Sequence, residues 1–206
     1  MHIPSNPLTP KKMKKTTLIL AILMFSCMGM MAQVKVGKYK DWKKTIDLLE
    51  VKASYDFTGR KTVILLPVET KDVKLPDKGN DNYKLVVKSL DNLTKSVATE
   101  LQKNLQKQGY KVVVAENADV RDPEAIVLQL NWTEFDLGSR ALRAWVGFGA
   151  GNAGFGTDGV FYDGDNAVIT FSHRRIAPLD IKDYEKLAAK GVRELSEDLA
   201  KMILGL

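Results

Sequence analysis

Residues 138–156 read GSRALRAWVGFGAGNAGFG, and no other stretch limits the possible folds of this chain so strongly. Glycine recurs at Gly147, Gly149, Gly151, Gly154 and Gly156, beside an apolar patch of Leu142, Trp145, Val146 and Phe148 and two arginines, Arg140 and Arg143. Glycine loses the most backbone freedom on folding, so this density excludes a regular helix and calls for close backbone approach, special dihedrals or a surface that stays small. Gly149 to Gly154 also spell GxGxxG. A dinucleotide site needs a helix opening directly from such a loop, and the FGTDGVFY that follows cannot sustain one. The match therefore carries no nucleotide-binding function. Three readings remain open. The stretch is a tight internal strand crossing with no ligand, a strand pair whose glycine row admits a partner, or a hairpin over 143–172 that inserts into a membrane or self-associates. In the second reading Arg140 and Arg143 grip a carboxylate or phosphate bidentately, with Trp145 and Phe148 as apolar partner contacts.

The N-terminus is an export signal by pattern. Lys11, Lys12, Lys14 and Lys15 precede the apolar run Leu18 to Phe25, followed by small and sulfur-containing residues. This is the order of a secretory signal peptide, and the run is far shorter than the ~20 apolar residues of a membrane-spanning helix. The pattern predicts a signal peptide over 1–32, with residues 1–12 as an upstream extension before Met13 and cleavage after Ala32. A second reading makes Cys27 a lipid attachment site behind Ser26. The leader holds four lysines and no acid, so removing it lowers the formal net charge from +6 to +2. The basic balance is thus no nucleic-acid footprint. Cys27 is the single cysteine, which excludes an intrachain disulfide.

The remaining residues suit one domain with a sizeable core. Residues 33–60 read as a lead-in: a short helix, then an edge strand through Val51, Ala53 and Tyr55. The run Lys61 to Val68, KTVILLPV, predicts a central strand buried on both faces. Val86, Leu90, Leu93, Val97, Leu101 and Leu105 form one stripe of a helix over 82–108, capped by Asp81 or Asn82 and closed by Gly109. Tyr110 to Ala115 is the next strand. Leu128, Leu130 and Trp132 alternate with Gln129, Asn131 and Thr133 in a half-buried strand. Residues 159–162 and 167–172 flank a DGDN turn and predict a hairpin. Asp180 caps a final helix over 181–204. The expected fold is α+β: a single mixed β-sheet packed against two long helices, forming one domain over 61–206.

Candidate chemistry is sparse. His2 falls in the leader, leaving His173, flanked by Ser172, Arg174 and Arg175, as a hydrogen-bonded or surface residue. One histidine and one leader cysteine exclude His–Cys zinc sites and Cys–His nucleophiles. Asp158, Asp163 and Asp165 lack the spacing of an EF-hand and are explained by turn chemistry. Glu134 and Asp136 point the same way on one strand and are the acids a hydrolase would use, but they adjoin a turn. The reading is a non-enzymatic protein with no cofactor, no metal and no nucleic-acid partner.

At the motif the sequence resembles a known family. GSRALRAWVGFGAG is similar to the signature, roughly G-S-R-A-x-R-x-x-V-G-F-G-A-G, of the domain-of-unknown-function 4410 family of bacterial envelope proteins, many of them lipoproteins. The segment YDFTGRKTVILLPV, the helix ending in GYKVV, the strand AIVLQLNWTEFDLG and the later hairpin follow in the family's order, so the resemblance covers Tyr55 to Leu204. Gly138, Arg140, Arg143, Gly147, Phe148, Gly149 and Gly151 match by position. Asn152, Ala153 and Gly154 depart from the expected alternation. The resemblance implies an envelope protein of the periplasm or outer membrane, working with an envelope partner or with itself. It implies no catalytic residue, because the family has no established activity.

Overall fold

The computed structural model describes residues 34–80, 82–138, 152–177 and 183–206. Seven strands among them form one mixed sheet. In chain order these are β1 (Gly37–Trp42), β2 (Ile46–Val51), β3 (Thr62–Leu65), β4 (Lys111–Val114), β5 (Ile126–Asp136), β6 (Ala153–Asp163) and β7 (Asn166–Ala177). Two helices, α1 (Tyr83–Gln106) and α2 (Tyr184–Gly205), complete the fold. The spatial order is β1-β2-β7-β6-β5-β3-β4. The expected α+β sheet with two long helices is what the chain forms.

β3, α1 and β4 make a parallel crossover unit, and β3 also runs parallel to β5. The predicted central strand therefore lies one place in from the edge. The centre belongs to β6, which holds the tail of the glycine stretch. β6 and β7 pair antiparallel around the predicted Asp-Gly turn, where Gly164 has φ +57°. They are longer than the expected hairpin because both strands continue back through Ala153 and on to Ala177.

The lead-in helix is corrected. Residues 37–51 form the β1–β2 hairpin, paired through β2 to β7. Trp42, Ile46, Leu49 and Val51 are all buried in the hairpin, and the i, i+4, i+7 spacing of the first three is what imitates a helix face. The end of β1 and the turn that follows carry three non-glycine residues in the left-handed region, Asp41 (φ 47°), Lys43 (φ 49°) and Lys44 (φ 57°). Such turns normally use glycine or asparagine. A local offset is visible: the Lys43 ammonium donates to the Gly205 carbonyl at 3.0 Å and sits 4.7 Å over the Trp42 ring. A cation there opposes the negative end of α2.

Both helices lie on one face of the sheet. Val86, Val97, Leu101 and Leu105 of α1 and Leu187, Val192, Leu195, Leu199 and Met202 of α2 share a core with Val63, Leu128, Leu130, Phe155, Phe161, Ile169 and Phe171. α1 ends as expected at Gly109, whose φ of +78° suits a residue without Cβ. Its start differs: Asn82 holds the cap position but makes no side-chain cap. α2 is capped by Asp183, whose carboxylate accepts from the Glu185 and Lys186 amides, while the expected cap Asp180 lies outside the described residues. Those amides hold the Asp183 carboxyl below its usual range, chiefly through Lys186. On the opposite sheet face, Ile64, Leu66, Ala125 and Val127 form a smaller cluster. Ser172, Arg174 and Ile176 lie exposed along β7.

Candidate functional site

β5 and β6 fix where the glycine motif begins and ends. Their last pair is Asp136 with Gly154, so the end of β5 and the start of β6 lie side by side. The register shifts between Trp132 and Glu134, leaving Thr133 as an extra residue. That bulge turns both Trp132 and Phe135 toward the helices and sets Glu134 and Asp136 on the opposite face. Trp132 is anchored there by its indole, which donates to the Thr94 hydroxyl of α1 at 3.1 Å.

Three contacts hold this base. Arg174 of β7 forks onto Glu134, with Nε–Oε2 2.5 Å and Nη2–Oε1 2.9 Å. The Asp136 carboxylate accepts from the Gly138 amide at 2.8 Å. Gly138 turns with φ +73°, and its carbonyl accepts from Asn82 Nδ2 at the head of α1. Asn82 is 1% exposed, and its Oδ1 has no hydrogen-bond partner. The Arg174 hydrogen bonds hold the Glu134 carboxyl below its usual range against the effect of burial. Burial pushes the Asp136 carboxyl up, against the pull of the Gly138 amide, and the charge of Glu134 adds to the rise. As an acid–base pair the two are compromised, because both Glu134 oxygens are already bound by Arg174.

The glycines of β6 face their own sheet. A Cβ on Gly154 would lie 2.6 Å from Glu134 Oε1 and 2.7 Å from Arg174 Nη2. One on Gly156 would lie 2.6 Å from Thr133 Oγ1, and one on Gly159 2.3 Å from the Phe171 ring. Close approach of neighbouring side chains is thus the reason for glycine at 154, 156 and 159. Phe155 is fully buried against Phe135, with ring centroids 5.1 Å apart. The inserting hairpin over 143–172 is corrected for residues 153–172, which lie in the middle of the sheet. Phe155, Phe161, Val168, Ile169 and Phe171 are buried in the core and present nothing to lipid.

Of the predicted site residues, Gly138 is placed at this base. Arg140, Arg143, Trp145, Gly147, Phe148, Gly149, Gly151 and Cys27 lie outside the described residues. Asp163 is bound by Arg60 at 2.6 Å and accepts from the Asp56 amide at 3.0 Å, so the hairpin turn has a structural use for it.

A second constellation escaped the sequence reading. His173 of β7 is 5% exposed and stands between two carboxylates. Nε2 lies 3.3 Å from Asp198 Oδ2 on α2, and Nδ1 lies 3.4 Å from Asp47 Oδ2 on β2, out of line for a hydrogen bond. Asp47 Oδ2 is pinned by the Arg174 amide at 2.6 Å. Asp198 also binds Arg175 at 3.2 Å and Lys201 at 3.3 Å, and Arg175 reaches Glu194 at 3.3 Å. Burial pushes the Asp198 carboxyl up, but the His173 hydrogen bond and the Arg175 charge outweigh it and hold the group below its usual range. Above His173 opens a groove of about 630 Å³ rimmed by Asp41, Lys44, Thr45, Asp47 and Ile176. Its residues come from two distant stretches of the chain, 41–47 and 173–176. No local pattern could have announced it.

Comparison with known proteins gives the chain's family and several likenesses of low identity. No curated protein matches the chain. Among solved structures, the chain is similar to the PelC dodecamer from Paraburkholderia phytofirmans, with 13% identity over 73% of this chain and 96% of that one, TM-score 0.42. It is also similar to a minor lipoprotein from Acinetobacter baumannii, with 16% identity over 70% and 89% of the two chains, TM-score 0.33. A third likeness is to lipoprotein GNA1162 from Neisseria meningitidis, with 14% identity over 70% and 99%, TM-score 0.32. The sequence profile described as "Domain of unknown function (DUF4410)" matches residues 67–200, which span β5, the glycine motif, the β6–β7 hairpin and most of α2, and the chain belongs to that family.

Proposed function

We propose that the chain is an exported, non-enzymatic envelope protein that binds another macromolecule, or a second copy of itself, through the motif surface around Arg140 to Gly151. The observation that carries this reading is the base of the motif. Asp136 and Gly154 are paired, Gly138 is tied to Asp136 and Asn82, and the Glu134–Arg174 fork lies across Gly154. Rigid scaffolds that fix both ends of a long connection are where binding residues concentrate. Two arginines in that connection supply planar donors for a carboxylate or phosphate. The leader pattern supports export, and among the described residues no helix is long and apolar enough to cross a membrane. Its location in this reading is the periplasm or the outer membrane, and the mass of the mature N-terminus decides between Cys27 lipidation and cleavage after Ala32.

The test is the double substitution Arg140→Ala, Arg143→Ala, followed by cross-linked capture from the envelope fraction. The expected result is an unchanged unfolding midpoint with loss of captured envelope partners or of cross-linked self-assembly. A double variant that captures the same proteins as the parent chain overturns the assignment of the arginines.

A further inference from the structure

The positive charge of the chain is not spread evenly. Residues 34–52, the β1–β2 hairpin and its flanks, hold six lysines against three acids, while residues 53–206 hold 21 basic and 22 acidic residues. Without the leader, the hairpin therefore carries the whole positive excess. The strand register shows where that charge faces. Lys38 pairs with Glu50 and Lys40 with Leu48, and Leu48 pairs in turn with Ser172 of β7. Directly paired residues share a sheet face. Leu49 belongs to the core under the helices, so Leu48 and its row lie on the opposite face. Arg174 and Ile176 follow Ser172 on that face, and Lys44 in the hairpin turn lines one groove with both.

The surface is apolar as well as basic. Val36, Leu48 and Ile176 are three of the five large hydrophobic residues exposed among the described residues. Glu50 is paired with Lys38 at 3.4 Å and Glu134 with Arg174, which leaves Asp41 as the free acid of the turn. The Lys40 and Lys44 ammonium groups have no partner among the described residues. Lys44 also holds φ 57°, a conformation that suits asparagine or glycine better than lysine. Lys43 beside it is held by the Gly205 carbonyl, but no contact of Lys44 explains a lysine there. We infer that this face of β1, β2 and β7 lies on an anionic lipid bilayer, with Lys38, Lys40 and Lys44 among the headgroup phosphates and Leu48 and Ile176 at the boundary of the acyl region. Exposed aliphatic side chains beside lysines suit such a boundary. The point of entry of the chain argues the same way. Val34 leads into β1 directly after the export leader, and Cys27 stands seven residues before it, a reach of at most about 25 Å. The inference uses no motif residue and shares with the motif reading only the export of the chain, so capture and bilayer binding can fail separately.

The assay is co-sedimentation with lipid vesicles. Residues 34–206 form a compact unit that holds the entire core, so the protein used is the chain from Gln33 onward. The expected result is binding at low salt to vesicles of phosphatidylglycerol and phosphatidylcholine, and none to phosphatidylcholine alone. Salt at about 1 M, where screening acts within ~3 Å, should release the protein. The double substitution Lys40→Gln, Lys44→Asn should weaken binding about 30-fold, at about five-fold for each lysine near the surface. Asparagine tolerates the left-handed turn, so the urea midpoint of this variant should stay or rise while binding falls; a purely structural Lys44 would move the midpoint alone. Leu48→Ser should weaken binding further. Failure to bind the mixed vesicles overturns the inference, as does equal binding to phosphatidylcholine alone. So does a double variant that binds as tightly as the parent chain. Dextran sulfate bound as tightly as the mixed vesicles, with Leu48→Ser without effect, overturns it in favour of a soluble polyanion. If a variant fails to fold, the lipid comparison on the parent chain decides alone.

Discussion

Gly191→Ala sets two well-measured effects against each other. Gly191 lies inside α2, where glycine is less favourable than alanine by about 1 kcal/mol. On helix propensity alone the substitution should stabilise. The structure predicts the reverse sign. A Cβ at this position would lie 2.1 Å from Phe155 Cε2 and 2.4 Å from Cζ. Ordinary carbon contacts begin near ~3.5 Å, so the ring would have to move more than an ångström. Phe155 cannot yield freely. It is fully buried and stacks edge-on against Phe135, which in turn meets Trp132 at 5.3 Å. Overpacking a well-packed core costs roughly 1–3 kcal/mol, and the rigidity of this ring favours the upper end. Subtracting the propensity gain leaves a net loss of about 2 kcal/mol. Urea unfolding measures it as a lower midpoint at unchanged slope. The companion variant Phe155→Leu should recover most of the alanine's cost in the double mutant, since contacting residues couple by roughly 0.5–3 kcal/mol. A Gly191→Ala chain more stable than the parent, or strict additivity with Phe155→Leu, refutes the Phe155–Gly191 contact.

Two carboxylates give opposite pH signatures. Asp136 has its folded-state carboxyl pushed up by burial, so its ionised form weakens the fold above that value and the loss is recovered as pH falls through it. Asp136→Asn, which keeps an acceptor for the Gly138 amide, should raise the neutral-pH urea midpoint by less than the ~1 kcal/mol of one net hydrogen bond, and a midpoint that falls contradicts this account. Asp198 is held low despite burial, by His173 and Arg175, so its contribution is present above the ordinary carboxylate range and lost as pH falls through its folded value. Asp198→Asn should cost about 2 kcal/mol at neutral pH and nothing in strong acid; a loss independent of pH would show that Asp198 acts by packing alone.

What was legible in the sequence was local. The α1 stripe from Val86 to Leu105, the Gly109 stop, the alternation through Trp132 and the Asp-Gly turn at Gly164 each depend on residues a few positions apart. What was illegible depends on residues brought from elsewhere. KTVILLPV announces burial on two faces, but the run itself does not specify whether its neighbour is β4 or the β6–β7 hairpin. The β1–β2 turn has no glycine or asparagine to mark it, because its left-handed Lys43 is held by the end of α2. The Thr133 bulge appears only when β5 is laid against β6. The His173 cluster joins β2, β7 and α2, and the acids that define it look like ordinary solvated residues of a strand and a helix. Asn82 resembled a helix cap by residue type and position, yet its amide is spent on the Gly138 carbonyl.

The end of the glycine stretch that lies in β6 has a physical reason of its own. Gly154, Gly156 and Gly159 each lie under a side chain of a neighbouring strand: the Glu134–Arg174 fork, Thr133, then Phe171. These contacts explain the residue type without any ligand, so substitutions at 154, 156 and 159 should appear as lost stability. The same contacts hold the end of β5 and the start of β6 together, and with Asn82 they fix the points between which Arg140 and Arg143 lie. A binding role for the arginines therefore makes a separable demand: capture must fail while the unfolding midpoint stays where it was. Glycine substitutions in β6 must do the opposite first, lowering the midpoint, and must leave capture intact in any chain that still folds. If the two classes cannot be separated, the whole stretch is one packing unit and the arginines belong to the fold.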